Sequence, residues 1–138
     1  MFNKIMVPVD LRHVEKMGKA LSIVAELATT HDADVIFVGV TSPEPNALGH
    51  NPKEYEARLK EFASSKAAEK GYRSAAHMIV AHDPAIDLDK HLLEASKTLG
   101  TDLVVMATHL PNVADYVWAS HGGHLAAHAQ ASVFLVRG

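Results

Sequence analysis

The residues with chemistry to offer gather near the C-terminus and at one early strand end. Asp102-Leu103-Val104-Val105-Met106-Ala107-Thr108-His109-Leu110-Pro111 reads as a buried strand running into a turn. Ala119-Ser120-His121-Gly122-Gly123 follows as a helix start of small residues, then Ser132-Val133-Phe134-Leu135-Val136-Arg137 as a second buried strand. A turn opening into a helix presents unpaired backbone N–H groups to anything negative. The chemistry this predicts is capture of a phosphate. Gly122 and Gly123 would let a phosphate approach closely, although each weakens the helix start by about 1 kcal/mol relative to alanine. The plainer reading makes Ser120 an N-cap, and Asp10 a cap at the end of the first strand.

Histidine is the other abundant functional side chain, with ten in the chain. His121, His124 and His128 share one arc of the last helix, and two histidines at i and i+4 can chelate zinc. No glutamate of the zinc-protease type accompanies them, and the stripe borders an apolar face of Trp118, Leu125, Ala126 and Ala129. A solvent or interface row is the competing account. His109 ends a strand, where it would contact phosphate, stack on a base, or pack on its own loop. His82 and the Asp83-Pro84 pair read as structural, the latter as a helix start. Tyr116 and Trp118 read as packing beside a helix start. No serine, histidine and acid sit in a nucleophile-elbow context, and there is no cysteine. No dedicated catalysis is expected.

The elements that must position these groups fit one domain spanning residues 1–138, with 48% apolar residues and enough length for a substantial core. Thirteen basic and sixteen acidic residues give a net charge of −3, which argues against nucleic-acid or anionic-membrane partners. No apolar run approaches the roughly 20 residues needed to span a bilayer. The chain opens directly on a strand pattern, which leaves no room for a signal peptide, so a cytoplasmic location is expected.

Hydrophobic spacing predicts strands over 2–9, 34–40, 75–81, 103–107 and 132–137. It predicts helices over 11–30, 53–70, from 83–84 to 99, and over 120–129. Val14, Met17, Leu21, Val24 and Ala28 mark one face of the first helix. Tyr55, Leu59 and Phe62 mark one side of the second, whose charged residues form a solvated face. Gly71 and Gly100 close two helices. Residues 41–52, with three prolines, a glycine and two asparagines, form a loop. Strict β-α alternation predicts an α/β three-layer sandwich: a five-stranded parallel sheet with right-handed crossovers. Ligands of such sheets bind at the strands' carboxyl ends, where the winding direction reverses.

Over its whole length the chain resembles the universal stress protein family. Ile5-Met6-Val7-Pro8-Val9-Asp10 matches that family's first strand and its terminal aspartate, and Val38-Gly39-Val40 the end of its second. Ala81-His82-Asp83-Pro84 stands where the family has a turn before its third helix. The resemblance implies a Rossmann-like sheet of strand order 3-2-1-4-5 and ATP bound through Gly-x-x-Gly, nine residues, then Gly-Ser or Gly-Thr. Here Ala107, Leu110 and Ala119 replace those glycines, and the spacer is eight residues. Thr108-His109-Leu110-Pro111, Tyr116 and Ala119-Ser120 resemble a branch that reads Ser-His-Arg-Pro, with Leu110 in place of its arginine.

By this resemblance Pro8, Val9, Asp10 and Val40 line the nucleoside end, Asp10 near the ribose and Val40 offering backbone groups to adenine. Ala107, His109, Ser120, His121 and Gly122 line the phosphate end, with Mg²⁺ bridging the phosphates. Occupancy would order residues 41–52 and alter a dimer surface in stress-response signalling. ATP hydrolysis would at most be slow, with no base or arginine finger in view. The family pairs through strand five, here Val133, Phe134, Leu135 and Val136, an apolar edge that is hazardous if uncovered. The rival expectation is a nucleotide-free dimeric interaction module with a degraded ATP site, favoured by Leu110 and the missing glycines.

Overall fold

The structure, a computed structural model, describes residues 1–45, 49–83, 88–109 and 122–137. Five strands form one parallel sheet: β1 (Lys4–Pro8), β2 (Asp34–Thr41), β3 (Ser74–Val80), β4 (Leu103–His109) and β5 (Ser132–Arg137). Helices α1 (Gly18–His31), α2 (Pro52–Lys70), α3 (Leu88–Leu99) and α4 (Gly122–His128) alternate with them. The order across the sheet is β3-β2-β1-β4-β5, as expected from the resemblance.

The near-continuous apolar runs of β1, β2 and β4 are central strands covered on both faces. Ile5, Val7, Val9, Val35, Phe37 and Val105 pack under α1 and α2, where Phe37 meets Phe62 edge-to-face at 5.3 Å. Met6, Ile36, Val38, Val104 and Met106 pack on the other face with Leu88, Leu92 and Leu125 of α3 and α4. β3, diluted by alanine and histidine, is an edge strand of half-exposed residues.

Helix ends follow local chemistry. Asn51 caps α2 by accepting from the Glu54 amide at 2.9 Å, while the Glu54 carboxylate accepts from the His50 amide, a two-way cap. Gly71 takes φ 76°, which lets its amide reach the Ala67 carbonyl and end the helix. Asp32 ends α1 at φ 53°, a conformation aspartate tolerates, and the Arg73 guanidinium pairs with Asp32 and Asp34 across the β2–β3 entry.

The expected helix over 11–30 is in fact two pieces. A 3₁₀ segment, Leu11–Lys16, leaves β1, with non-helical backbone at His13, and α1 begins only at Gly18. The apolar spacing continues across the break because Met17, at the junction, and Val24, in α1, are both buried, although no residue of the 3₁₀ segment itself is. Asp10 caps the N-terminus of the 3₁₀ segment, its side chain accepting from the Arg12 amide, and Met17 closes the segment before α1 begins. The proposed start at 83–84 and the Ser120 start fall partly or wholly outside the described residues.

Candidate functional site

Proline at position 8 opens a gap in the sheet. In a parallel ladder the two backbone groups of a residue point the same way, and the direction alternates along the strand. The Val9 amide donates to the Val38 carbonyl at 2.8 Å, so odd-numbered residues of β1 face β2 and even-numbered ones face β4. β1 pairs with β2 as far as Pro8↔Val38, but with β4 only at Ile5↔Leu103 and Met6↔Val104. The next rung toward β4 needs an N–H from residue 8, and proline has none. The ladder ends there. Beyond it the carboxyl-terminal halves of β1 and β4 face each other unpaired, at the point where the winding reverses.

The same alternation decides what β2 presents. Thr41 turns its carbonyl to β3, accepting from the Ala81 amide at 2.8 Å. Val40 therefore turns its N–H and C=O toward β1, past the level at which β1–β2 pairing stops. On the far side, Ala107 is buried at the end of β4. The β4–β5 register shifts between Ala107 and His109, so that His109 stands opposite Arg137. Such an irregularity re-aims a strand end, and is frequent beside binding sites.

Pro8, Val9, Asp10, Val40, Ala107 and His109 are thus brought to one carboxyl edge of adjacent strands. Val9 is wholly buried and serves the core with its side chain. Gly122 is the first residue of α4. Ser120 and His121, like Leu110, Tyr116, Trp118 and Ala119, lie outside the described residues, while His124 and His128 of the histidine row lie in α4, His128 exposed. Among the described residues no group of three metal-ligating side chains occurs.

Asp10 is buried, and its carboxylate is engaged by its own segment. The Arg12 amide and Nε each donate to Oδ1 at 3.0 Å, Arg12 Nη2 donates to Oδ2 at 2.9 Å, and His13 Nδ1 lies 3.3 Å from Oδ2. Two partners on each oxygen fill a carboxylate's acceptor capacity. Burial alone would raise the pKa of this acid. The hydrogen bonds and charge of Arg12, with His13, outweigh burial and hold it below the ordinary carboxylate value. Asp10 is therefore a cap first. A ribose hydroxyl reaching it would displace a partner, His13 being the longest.

By apolar spacing alone Tyr55 is a core position of α2. Its ring lies against Gly39, where an added Cβ would come within 3.1 Å of Cε1 and Cζ and closer still to the hydroxyl. The residue is 2% exposed, and its hydroxyl has no hydrogen-bond partner among the described residues. Burial, reinforced by the negative charge of Asp10, pushes the phenol pKa up, so it stays a neutral donor. In the sequence an aromatic at a buried helical position simply satisfies the apolar pattern, so the hydroxyl carries no signal of its own.

Comparison with known proteins supplies the frame. The profile described as "Universal stress protein family" matches residues 1–137. A universal stress family protein from Burkholderia pseudomallei superposes with a TM-score of 0.70 at 23% identity, covering 97% of this chain and 95% of that one. A universal stress protein from Archaeoglobus fulgidus, solved in complex with dAMP, gives 0.66 at 18% identity and 96% of both chains. A family protein from Arabidopsis thaliana, with AMP bound, gives 0.64 at 16% identity, covering 98% and 91%.

Proposed function

The chain belongs to the universal stress protein family, and from that premise we propose that it binds an adenine nucleotide in the crevice between β1 and β4. The observation that carries this reading is the crevice itself. Pro8 ends the ladder toward β4, and Val40 turns one donor and one acceptor toward the open end of β1. A base that pairs with a backbone N–H and C=O suits such an edge, and nucleotides are seen in the Archaeoglobus and Arabidopsis relatives.

ATP is the proposed physiological ligand, its phosphates running past Ala107 and His109 toward Ser120, His121 and Gly122. Mg²⁺ would arrive on the phosphates, because both Asp10 oxygens are engaged and the described residues offer no ligand cluster. Occupancy would signal within a stress response of a single-domain, cytoplasmic protein. Among the described residues no helix is long and apolar enough to cross a membrane. Calorimetric titration of protein stripped of nucleotide tests the reading. Saturable micromolar binding of AMP and MgATP is expected, and no heat up to millimolar ligand would overturn it.

A second reading, a homodimer through β5, rests on Phe134. β5 is a sheet edge with only β4 beside it, and Phe134 is 43% exposed there. An uncovered apolar edge strand invites pairing with a second copy. Phe134→Lys is expected to convert the dimer to monomer in analytical ultracentrifugation, with stability per chain within about 0.5 kcal/mol of the parent under conditions where both are monomeric. A dimer that survives the substitution would place the interface elsewhere. The dimer alone, without nucleotide, would be the interaction module that the altered loop allows.

A further inference from the structure

Buried hydroxyls in folded proteins find partners, and each exception calls for an explanation. Tyr55 is such an exception, and its position suggests one. Its hydroxyl sits over Gly39, one residue before the Val40 backbone groups, and within the electrostatic reach of Asp10. We propose that the Tyr55 hydroxyl is the polar side-chain contact that reads the nucleoside, donating to an acceptor on the base or ribose lodged between Val40 and Asp10. The inference rests on the nucleotide-binding reading above.

Three features favour Tyr55 for this role over Asp10. Asp10 already has two partners on each oxygen, so a ligand gains from it only by exchange. Tyr55 has a donor and no partner among the described residues, so a ligand acceptor removes an existing penalty as well as forming a bond. Gly39 is the position on β2 whose lack of a side chain makes room for the ring. The pair Gly39–Tyr55 therefore places a fixed donor at the nucleoside end, one that discriminates for ligands carrying an acceptor there.

Tyr55→Phe keeps the ring and removes the hydroxyl. AMP is titrated calorimetrically into both stripped proteins, and the ligand-free Tm of each is measured. The expected result is AMP binding about ten-fold weaker in the variant, as for loss of one buried hydrogen bond, with a ligand-free Tm no lower than that of the parent. A hydroxyl held by the fold, directly or through water, would instead lower the Tm when removed. Equal AMP affinity in the two proteins, or a ligand-free Tm several degrees lower in the variant, would overturn the proposal while leaving nucleotide binding in place. Failure of the parent itself to bind AMP would overturn the nucleotide reading, and this assignment with it.

Discussion

Gly39→Val is expected to destabilise the protein by about 3 kcal/mol, the upper range for overpacking a filled interior. The melting temperature would fall by something on the order of 10 °C for a domain of this size. The first added atom already collides with the Tyr55 ring, at 3.1 Å from two of its carbons, and valine adds two methyl groups beyond that. Neither partner can retreat cheaply. Gly39 is held in the β2–β3 ladder opposite Met78, and Tyr55 is 2% exposed on a helix whose Leu59 and Phe62 are locked into the core. Urea unfolding checks the magnitude. Tyr55→Leu introduced beside Gly39→Val should recover part of the loss, because the collision is between these two side chains and such neighbours couple. Full stability in Gly39→Val alone would mean that the ring swings out of the mouth at little cost.

Much of this architecture was legible in the chain because long apolar runs and 3.6-residue spacing are strong signals. Val35-Ile36-Phe37-Val38 can only be a strand covered on both faces or a buried helix piece, and the alternation of elements decides between them. Gly71 and Gly100 were readable as helix stops because glycine follows the last periodic apolar residue, and both sit at positive φ, 76° and 66°. The break between Leu11–Lys16 and α1 was not legible, since apolar spacing reports which face is buried and is blind to a change from 3₁₀ to α geometry. The Asp10 cap that starts the 3₁₀ segment is likewise a side-chain geometry that spacing does not report.

The site was legible unevenly, for a related reason. Pro8 and Val40 entered through resemblance, yet their roles follow from one missing N–H and from the parity of a parallel ladder. Both become visible only when strand neighbours are known. Tyr55 was hidden because an aromatic at a buried helical position satisfies the apolar pattern, and its hydroxyl shows only against Gly39. Phe134 stood out as an edge hazard once β5 was placed last in the sheet, a placement that strand order alone supplies.

Asp10→Ala should show a loss of about 1–2 kcal/mol near neutral pH, chiefly the N-cap of the 3₁₀ segment and its charge-assisted bonds. The ion pair adds little by itself, because the Arg12 side chain is 45% exposed and keeps much of its water. The pH dependence separates the charge from the shape. Folding lowers the pKa of this acid below its unfolded value of about 3.9, so at any pH through that region the folded state binds fewer protons. Its stabilisation is therefore complete above about pH 4 and is lost as pH falls through the lower folded value. The stability gap between the parent and Asp10→Ala, measured by urea unfolding, should narrow from pH 6 to pH 3. A gap that stays constant would show that the carboxylate charge contributes nothing. AMP affinity should fall in the same variant, even though the carboxylate's partners are already filled. Without the cap, the turn leaving β1 next to Pro8 loses the bonds that fix it, and a weaker site with Val40 and Tyr55 intact would mark Asp10 as the residue that positions the mouth.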